Sequence, residues 1–222
     1  MDLPENIGRR VGVLGGTFDP VHNGHLAIAG AVQEGLGLDA LLFVPASLPP
    51  HKLSYPISPF SDRLAMLELA IAGLPGFFLS AMEGRRPGPS YSIDTLRALR
   101  ALMPSESELF FIIGMDAFAE IASWKQYAEL LDHAHFVVVG RPDQCPFSCR
   151  QSVSVNFPGY REDPSLGIFR GGQQGSIIPF AFPPLAVSST QVRQRTAGGM
   201  AIADLVPAAV AGYIASHGLY RP

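Results

Sequence analysis

Gly15-Gly16-Thr17-Phe18-Asp19-Pro20-Val21-His22-Asn23-Gly24-His25 is the stretch that decides how the chain is read. Just before it, Val11-Gly12-Val13-Leu14 is short and apolar, the pattern of a buried strand. The two glycines follow at once, and Asp19-Pro20 stops a strand from continuing. From Gly24 onward Leu26, Ile28, Ala29, Val32 and Leu36 recur at a helical period. The segment is therefore strand, glycine turn, loop, helix. The N–H groups of such a turn and of the helix start point at whatever sits above the strand end, which makes an anion site. Glycine lets a phosphate come close to the backbone because no Cβ stands in the way. His22 and His25, three residues apart, fall at the mouth of the helix. An imidazole there can donate to a phosphate oxygen, and two can share the charge that builds up in phosphoryl or nucleotidyl transfer.

Spacing and context separate the other readings of the stretch. Two histidines three apart are also a metal pair, but no third ligand stands nearby. They are also ordinary surface histidines in many chains, a reading the surrounding Gly-Gly-Thr-Phe-Asp-Pro disfavours. Neither Gly-x-Gly-x-x-Gly nor Gly-Lys-Ser/Thr occurs here, so the turn is neither a dinucleotide fingerprint nor a P-loop.

The wording Gly-Gly-Thr-Phe-Asp-Pro-Val-His-Asn-Gly-His resembles the motif of the nucleotidylyltransferase superfamily, in which His-x-Gly-His holds ATP phosphates. It is most like that of bacterial nicotinate-nucleotide adenylyltransferases. Composition suits one compact domain and is compatible with mononucleotide ligands. The chain has 222 residues, 47% hydrophobic and 16% charged, enough for one domain with a full core. A net charge of -3 argues against a nucleic-acid partner. Cys145 and Cys149 have no second pair, so neither a zinc site nor a disulfide framework is indicated. No run reaches membrane-spanning length and the polar, acidic first residues do not read as a signal peptide. The expectation is a cytoplasmic protein with no membrane partner.

Further blocks follow in order. Leu41-Leu42-Phe43-Val44 reads as a second strand. Its trailing loop, Pro49-Pro50-His51-Lys52, holds one of only two lysines, the other being Lys125. Alone, that loop is a solvated cation; by the resemblance it closes over the substrates. Ser61 is a fair N-cap for a helix through Leu64, Met66, Leu67 and Ala70, where only core packing is visible. Phe77-Phe78-Leu79-Ser80 reads as strand three, and Arg85-Arg86 as a loop whose charges are solvated or attract anions. Ser92 is a natural N-cap for the helix through Leu96, Leu99 and Leu102. Leu109-Phe110-Phe111-Ile112-Ile113 has the continuous apolar run of a central parallel strand. Asp116, at its carboxyl end, caps the next helix or binds ribose, and Trp124 packs or stacks on a ring. His135 to Val139 is a fifth strand and Ser176 to Pro179 a last short one. Between them, residues 143–175 show no periodicity and read as a long irregular loop. Val187 to Arg193 begins a helix with three hydroxyl residues and an arginine suited to phosphate. Val206 to Tyr220 ends the chain with an amphipathic, packing segment.

Four ordered blocks carry the resemblance, leaving out residues 1–9, expected to be disordered, and the loop after Pro142. It implies an α/β, Rossmann-like open parallel sheet flanked by helices, as one nucleotidylyltransferase domain over residues 1–222. It implies adenylyl transfer from ATP to nicotinate mononucleotide, giving nicotinate adenine dinucleotide and pyrophosphate on the way to NAD. His22, His25 and Arg193, with Lys52 assisting, are the implied catalytic groups. Gly15, Gly16, Thr17, Phe18, Ser189 and Thr190 join Arg193 in holding ATP. His51, Lys52, Tyr91, Ser92, Thr95, Asp116 and Trp124 are the implied mononucleotide contacts, with Trp124 stacking on the pyridine. Mg2+ is expected to arrive with ATP, with no protein ligand assigned. The oligomeric state stays open. The alternatives are a relative acting on nicotinamide mononucleotide, phosphopantetheine or a CTP-linked substrate, and a non-catalytic nucleotide sensor.

Overall fold

Among the described residues eight strands form one sheet: β1 (Arg10–Gly16), β2 (Ala40–Pro45), β3 (Phe77–Leu79), β4 (Glu108–Gly114), β5 (His135–Gly140), β6 (Arg161–Asp163), β7 (Ile168–Arg170) and β8 (Ile177–Ala181). Their order is β3-β2-β1-β4-β5-β8-β7-β6. The pairs from β3 across to β8 are parallel, while β6–β7 and β7–β8 are antiparallel. This is a computed structural model, and it describes residues 3–4, 7–50, 57–142, 145–172, 174–183 and 185–221.

The strands are apolar on both faces because helices cover both. On one face Val13, Leu42, Phe111 and Val138 meet Ile93, Leu96 and Leu99 of α3 (Ser92–Leu102) and Phe118 of α4 (Met115–Ala119). On the other, Leu14, Phe43, Ile112 and Val137 meet α1 (Asn23–Leu36) and α2 (Phe60–Ile71) through Val32, Met66 and Leu67. The same face takes Val192 of α6 (Ser189–Ala197) and Val210 and Ile214 of α7 (Ala208–Ser216). Alternate residues of a strand point to opposite faces, so a continuous apolar run serves both layers. The strand order reverses between β1 and β4, and a ligand crevice is expected beyond their carboxyl ends.

Several expectations need correction. Residues 143–175 are not one irregular loop: α5 (Cys145–Asn156) and the β6–β7 hairpin lie within them. Cys149, Val153 and Phe157, spaced by four, are buried in the first core, and Tyr160 donates to the Gly175 carbonyl at 2.8 Å. Serine-rich, weakly amphipathic sequence hid the helix, and three-residue strands are too short to show alternation. α2 starts one residue before Ser61, with Pro59 at the N-cap position. α3 has Tyr91 at its N-cap, so Ser92 is its first helical residue. Residues 1–9 are not wholly loose, since Ile7 is buried and Asp39 accepts the Arg9 and Arg10 N–H groups at 2.7 and 2.8 Å.

One α2 residue does more than pack. Arg63 lies on the apolar stripe with Met66, Leu67 and Ala70 and is only 1% exposed. Its guanidinium donates to the carbonyls of Thr17 at 2.8 Å, Ala46 at 2.6 Å, Ser47 at 3.1 Å and Ser58 at 3.0 Å. Burial holds its pKa below the ordinary range, opposed by the nearby Asp19 and Glu83 charges. Arginine nevertheless stays protonated in proteins. Its planar fork thus ties the loop after β1 to the loop after β2. Arg63→Met keeps the bulk and strands these carbonyls, each costing about 1–3 kcal/mol where it stays dry. The expected loss of unfolding free energy is roughly 3 kcal/mol, read by chemical denaturation.

Candidate active site

One cavity of about 530 Å³ opens at the carboxyl ends of β1, β2 and β4. That volume suits a small-molecule ligand. Its wall includes Gly15, Gly16, Thr17 and His25 from the first block and Tyr91, Ser92, Thr95 and Trp124 from the later ones. The sequence pattern is thus brought together across the sheet's switch point.

His22 is the N-cap residue of α1, with extended backbone at φ -144°. Its N–H donates to Nδ1 of His25 at 3.2 Å, and the two rings stack with centroids 3.7 Å apart. Accepting at Nδ1 leaves the proton of a neutral His25 ring on Nε2, the form that can donate to an oxyanion. Phe18 meets the His25 ring edge-on at 4.9 Å. Gly24 is required by close approach: a Cβ there would sit 2.9 Å from Val187 Cγ1 and 3.0 Å from His22 Nδ1. Phe18 takes the left-handed conformation, φ 50°, a cost of order 1 kcal/mol that the surrounding packing holds in place.

His22 is not on the cavity wall. It is 8% exposed, and its Nδ1 is buried with no hydrogen-bond partner among the described residues. Phe18, 2% exposed, likewise supports the wall from behind. α6 approaches the same loop from the other side. Ser188 caps it by accepting the Gln191 N–H at 3.2 Å, and Ser189 donates to the Pro20 carbonyl at 2.9 Å. Arg193 donates to the Asp19 carbonyl at 2.7 Å and to Thr190 Oγ1 at 3.3 Å. Ser189, Thr190 and Arg193 thus brace the loop of Asp19 and Pro20 without lining the cavity. Tyr220 completes this collar by donating to Asp19 Oδ1 at 2.7 Å.

Across the cavity Trp124, also on the wall, stands edge-on to Phe111, ring centroids 6.2 Å apart. The start of α3 has no side-chain cap. Asp116 is exposed in the first turn of α4, makes no cap bond, and lies off the wall. His51 and Lys52 fall outside the described residues. Sequence reasoning missed Glu83, Ser90 and Lys125, all on the wall. Ser90 Oγ accepts the Ser47 and Leu48 N–H groups at 2.9 and 3.2 Å, holding the β2 loop against α3. Lys125 pairs with Asp94 at 3.0 Å and lies 4.6 Å from the Tyr91 ring centroid. Glu83 had no signal, being one acid in a turn.

A parallel sheet with a glycine turn and an imidazole-bearing helix start at its switch point is the frame of a nucleotidyl-transfer protein, and a family model described as cytidylyltransferase-like matches residues 13–195. A "probable nicotinate-nucleotide adenylyltransferase" of Pseudomonas fluorescens is 43% identical over 97% of this chain and 99% of its own. A protein of the same description from Desulfatibacillum aliphaticivorans is 42% identical over 95% and 99%. The chain belongs to the nicotinate-nucleotide adenylyltransferase family. Among solved structures, nicotinic acid mononucleotide adenylyltransferase of Plasmodium falciparum, complexed with NaAD, has the same fold, with a TM-score of 0.69 at 18% identity over 96% of this chain and 98% of that one.

The buried imidazole gives a pH test. Burial pushes His22 from 6.5 down to about 4, against a smaller opposing pull from its own backbone. Between those values the unfolded chain binds a proton that the folded chain refuses. Stability from His22 is therefore complete above pH 6.5 and is lost as pH falls toward 4. The full swing is about 3 kcal/mol. His22→Gln is expected to show a flatter decline in unfolding free energy between pH 7 and 4.5 than the natural chain, measured by denaturant titration at each pH.

Proposed function

We propose that this chain transfers the adenylyl group of ATP to nicotinate mononucleotide, giving nicotinate adenine dinucleotide and pyrophosphate, a step toward NAD, and that it does so in the cytoplasm. The observation that carries the reading is what one cavity brings together. It joins the Gly15-Gly16-Thr17 turn and His25 to the uncapped start of α3 and the indole of Trp124. The full-length relatives of the same description support it.

An oxygen of the mononucleotide's 5′-phosphate attacks the α-phosphorus of ATP. The new P–O bond forms as the bond to the bridging oxygen breaks, and the electron pair leaves with pyrophosphate. The attacking oxygen is already anionic, so the chain needs to supply placement and charge stabilisation rather than a nucleophile. The turn N–H groups and His25 Nε2–H would take the phosphate oxygens. His22 would hold the His25 ring by stacking and, through its own N–H, fix the tautomer. Arg193, with Ser189 and Thr190, would steady the departing pyrophosphate once the nucleotide draws its guanidinium from Asp19. Helix starts favour carboxylates, so the first turn of α3, with Tyr91 and Ser92, would receive the pyridine acid while Trp124 stacks on the ring. His51, Lys52 and Asp116 are proposed as outer contacts of the mononucleotide.

A divalent metal accompanies ATP in transfer of this class. Among the described residues no group of three or more His, Cys, Asp or Glu side chains could hold one. We take the ion as Mg2+ held by phosphate and water, where it offsets the phosphate charge. Among the described residues no helix is long and apolar enough to cross a membrane.

A pyrophosphate-release assay with ATP or CTP and each mononucleotide tests the reading. Turnover with ATP and nicotinate mononucleotide is expected; turnover only with another acceptor, or nucleotide binding with no release, would favour the rivals. His25→Ala is expected to lower kcat by about 100-fold or more with the circular dichroism unchanged. Trp124→Ala is expected to raise KM for the mononucleotide by about tenfold and leave that for ATP near its starting value. Equal effects on both substrates would remove the stacking role.

A further inference from the structure

Beneath the start of α3 lies a buried polar cluster that the proposed chemistry does not use. Glu83, in the 3-10 turn Met82–Arg85, is 7% exposed and lines the cavity. Thr95, 2% exposed, donates its hydroxyl proton to Glu83 Oε1 at 2.5 Å. The same hydroxyl accepts from Arg86 Nη2 at 2.6 Å, and that nitrogen lies 3.6 Å from Glu83 Oε1. A hydroxyl has one proton, so Thr95 has none left for a ligand. It is a hub between an acid and a base. Glu83 Oε2 and Arg86 Nη1 are buried and have no hydrogen-bond partner among the described residues.

A carboxylate on the wall of a cavity that receives an acid is a liability. The Thr95 side chain that Glu83 touches is one turn from Tyr91 and Ser92, where the pyridine acid is placed under the reading above. Two unit charges a few ångströms apart near a protein surface repel by several kcal/mol, unless a third charge cancels one. Arg86 is the group in hydrogen-bonded register with Glu83, through Thr95. Lys125, a cation that does line the wall, is exposed and already paired with Asp94. We infer that Arg86 is a specificity-determining positioning residue: by neutralising Glu83 across Thr95, it lets the cavity accept the pyridine acid in preference to the uncharged amide. This rests on the acceptor being a pyridine mononucleotide.

The inference makes opposite predictions for the two partners, which a purely structural role does not. The readout is the ratio of kcat/KM for nicotinate mononucleotide to that for nicotinamide mononucleotide, with ATP saturating. Arg86→Gln removes the cation closest to the wall carboxylate, leaving only the Arg63 charge beyond salt-bridge distance, and is expected to lower the ratio about tenfold or more. Glu83→Gln keeps an acceptor for Thr95 and removes the negative charge, so the ratio is expected to stay level or rise. The double variant is expected to recover most of what Arg86→Gln lost. A fall of the ratio in both single variants, an unchanged ratio in Arg86→Gln, or no recovery in the double variant would overturn the inference. If Arg86→Gln does not fold, Glu83→Gln decides alone, a fall in the ratio refuting the charge argument. Natural chain that turns over neither mononucleotide would instead refute the underlying reading of the function.

Discussion

The site depends on a cation sealed inside the protein. Arg63 reaches the carbonyls of Thr17, Ala46 and Ser47, which belong to different loops, and that of Ser58 before its own helix. Hydrophobic packing alone can bury α2 against the sheet, but it has no means of fixing the direction of three loop carbonyls. A guanidinium can, because its N–H groups point along fixed lines in one plane. Desolvating the charge is expensive, and the carbonyl dipoles repay it only if each sits where the fork points. Geometry and energy therefore enforce each other, and the gap between the glycine turn and the loop after β2 becomes a fixed distance. The Ala46 N–H bonded to the Gly16 carbonyl at 2.8 Å reinforces the same seam.

Around that seam the two halves of the cavity are built differently. One half is backbone: glycines, a helix start and a ring held by stacking. The other is made of side chains and the uncapped start of α3, whose Thr95 is hydrogen-bonded to Glu83 and Arg86 of the preceding turn. Backbone N–H groups can be presented by many sequences if the turn is right, whereas a buried acid–base cluster depends on particular side chains and fixes a local balance of charge.

Much of the fold was legible because the strands are buried on both faces and announce themselves as apolar runs between glycines and prolines. The first block was legible for a stronger reason: glycines, Asp-Pro and two histidines at fixed offsets serve one geometry, with little freedom to vary. Arg63 left a trace that went unread, a charged residue on the apolar stripe of an amphipathic helix at three, four and seven residues from Met66, Leu67 and Ala70. α5 was hidden because its buried Cys149 and Val153 sit among serines that favour no one structure. The cap positions slipped by a residue or two because Tyr91 and Pro59 hold those places without a side-chain bond. His22 behind the wall, rather than on it, depends on ring stacking, which no spacing rule states.

The collar around Asp19 closes over a long stretch of chain. Tyr220 reaches it from 201 residues downstream, alongside Arg193, and Asn23 donates its N–H to the Leu205 carbonyl at 2.9 Å. The strand, turn and helix that carry the histidines thus stand far in sequence from Arg193, Leu205 and Tyr220, the residues that shape the Asp19 loop. Contacts of such long sequence separation carry a high loop-closure entropy and form slowly. The loop therefore takes its shape only once distant parts of the fold have docked, which makes it one of the late-ordering pieces of the molecule.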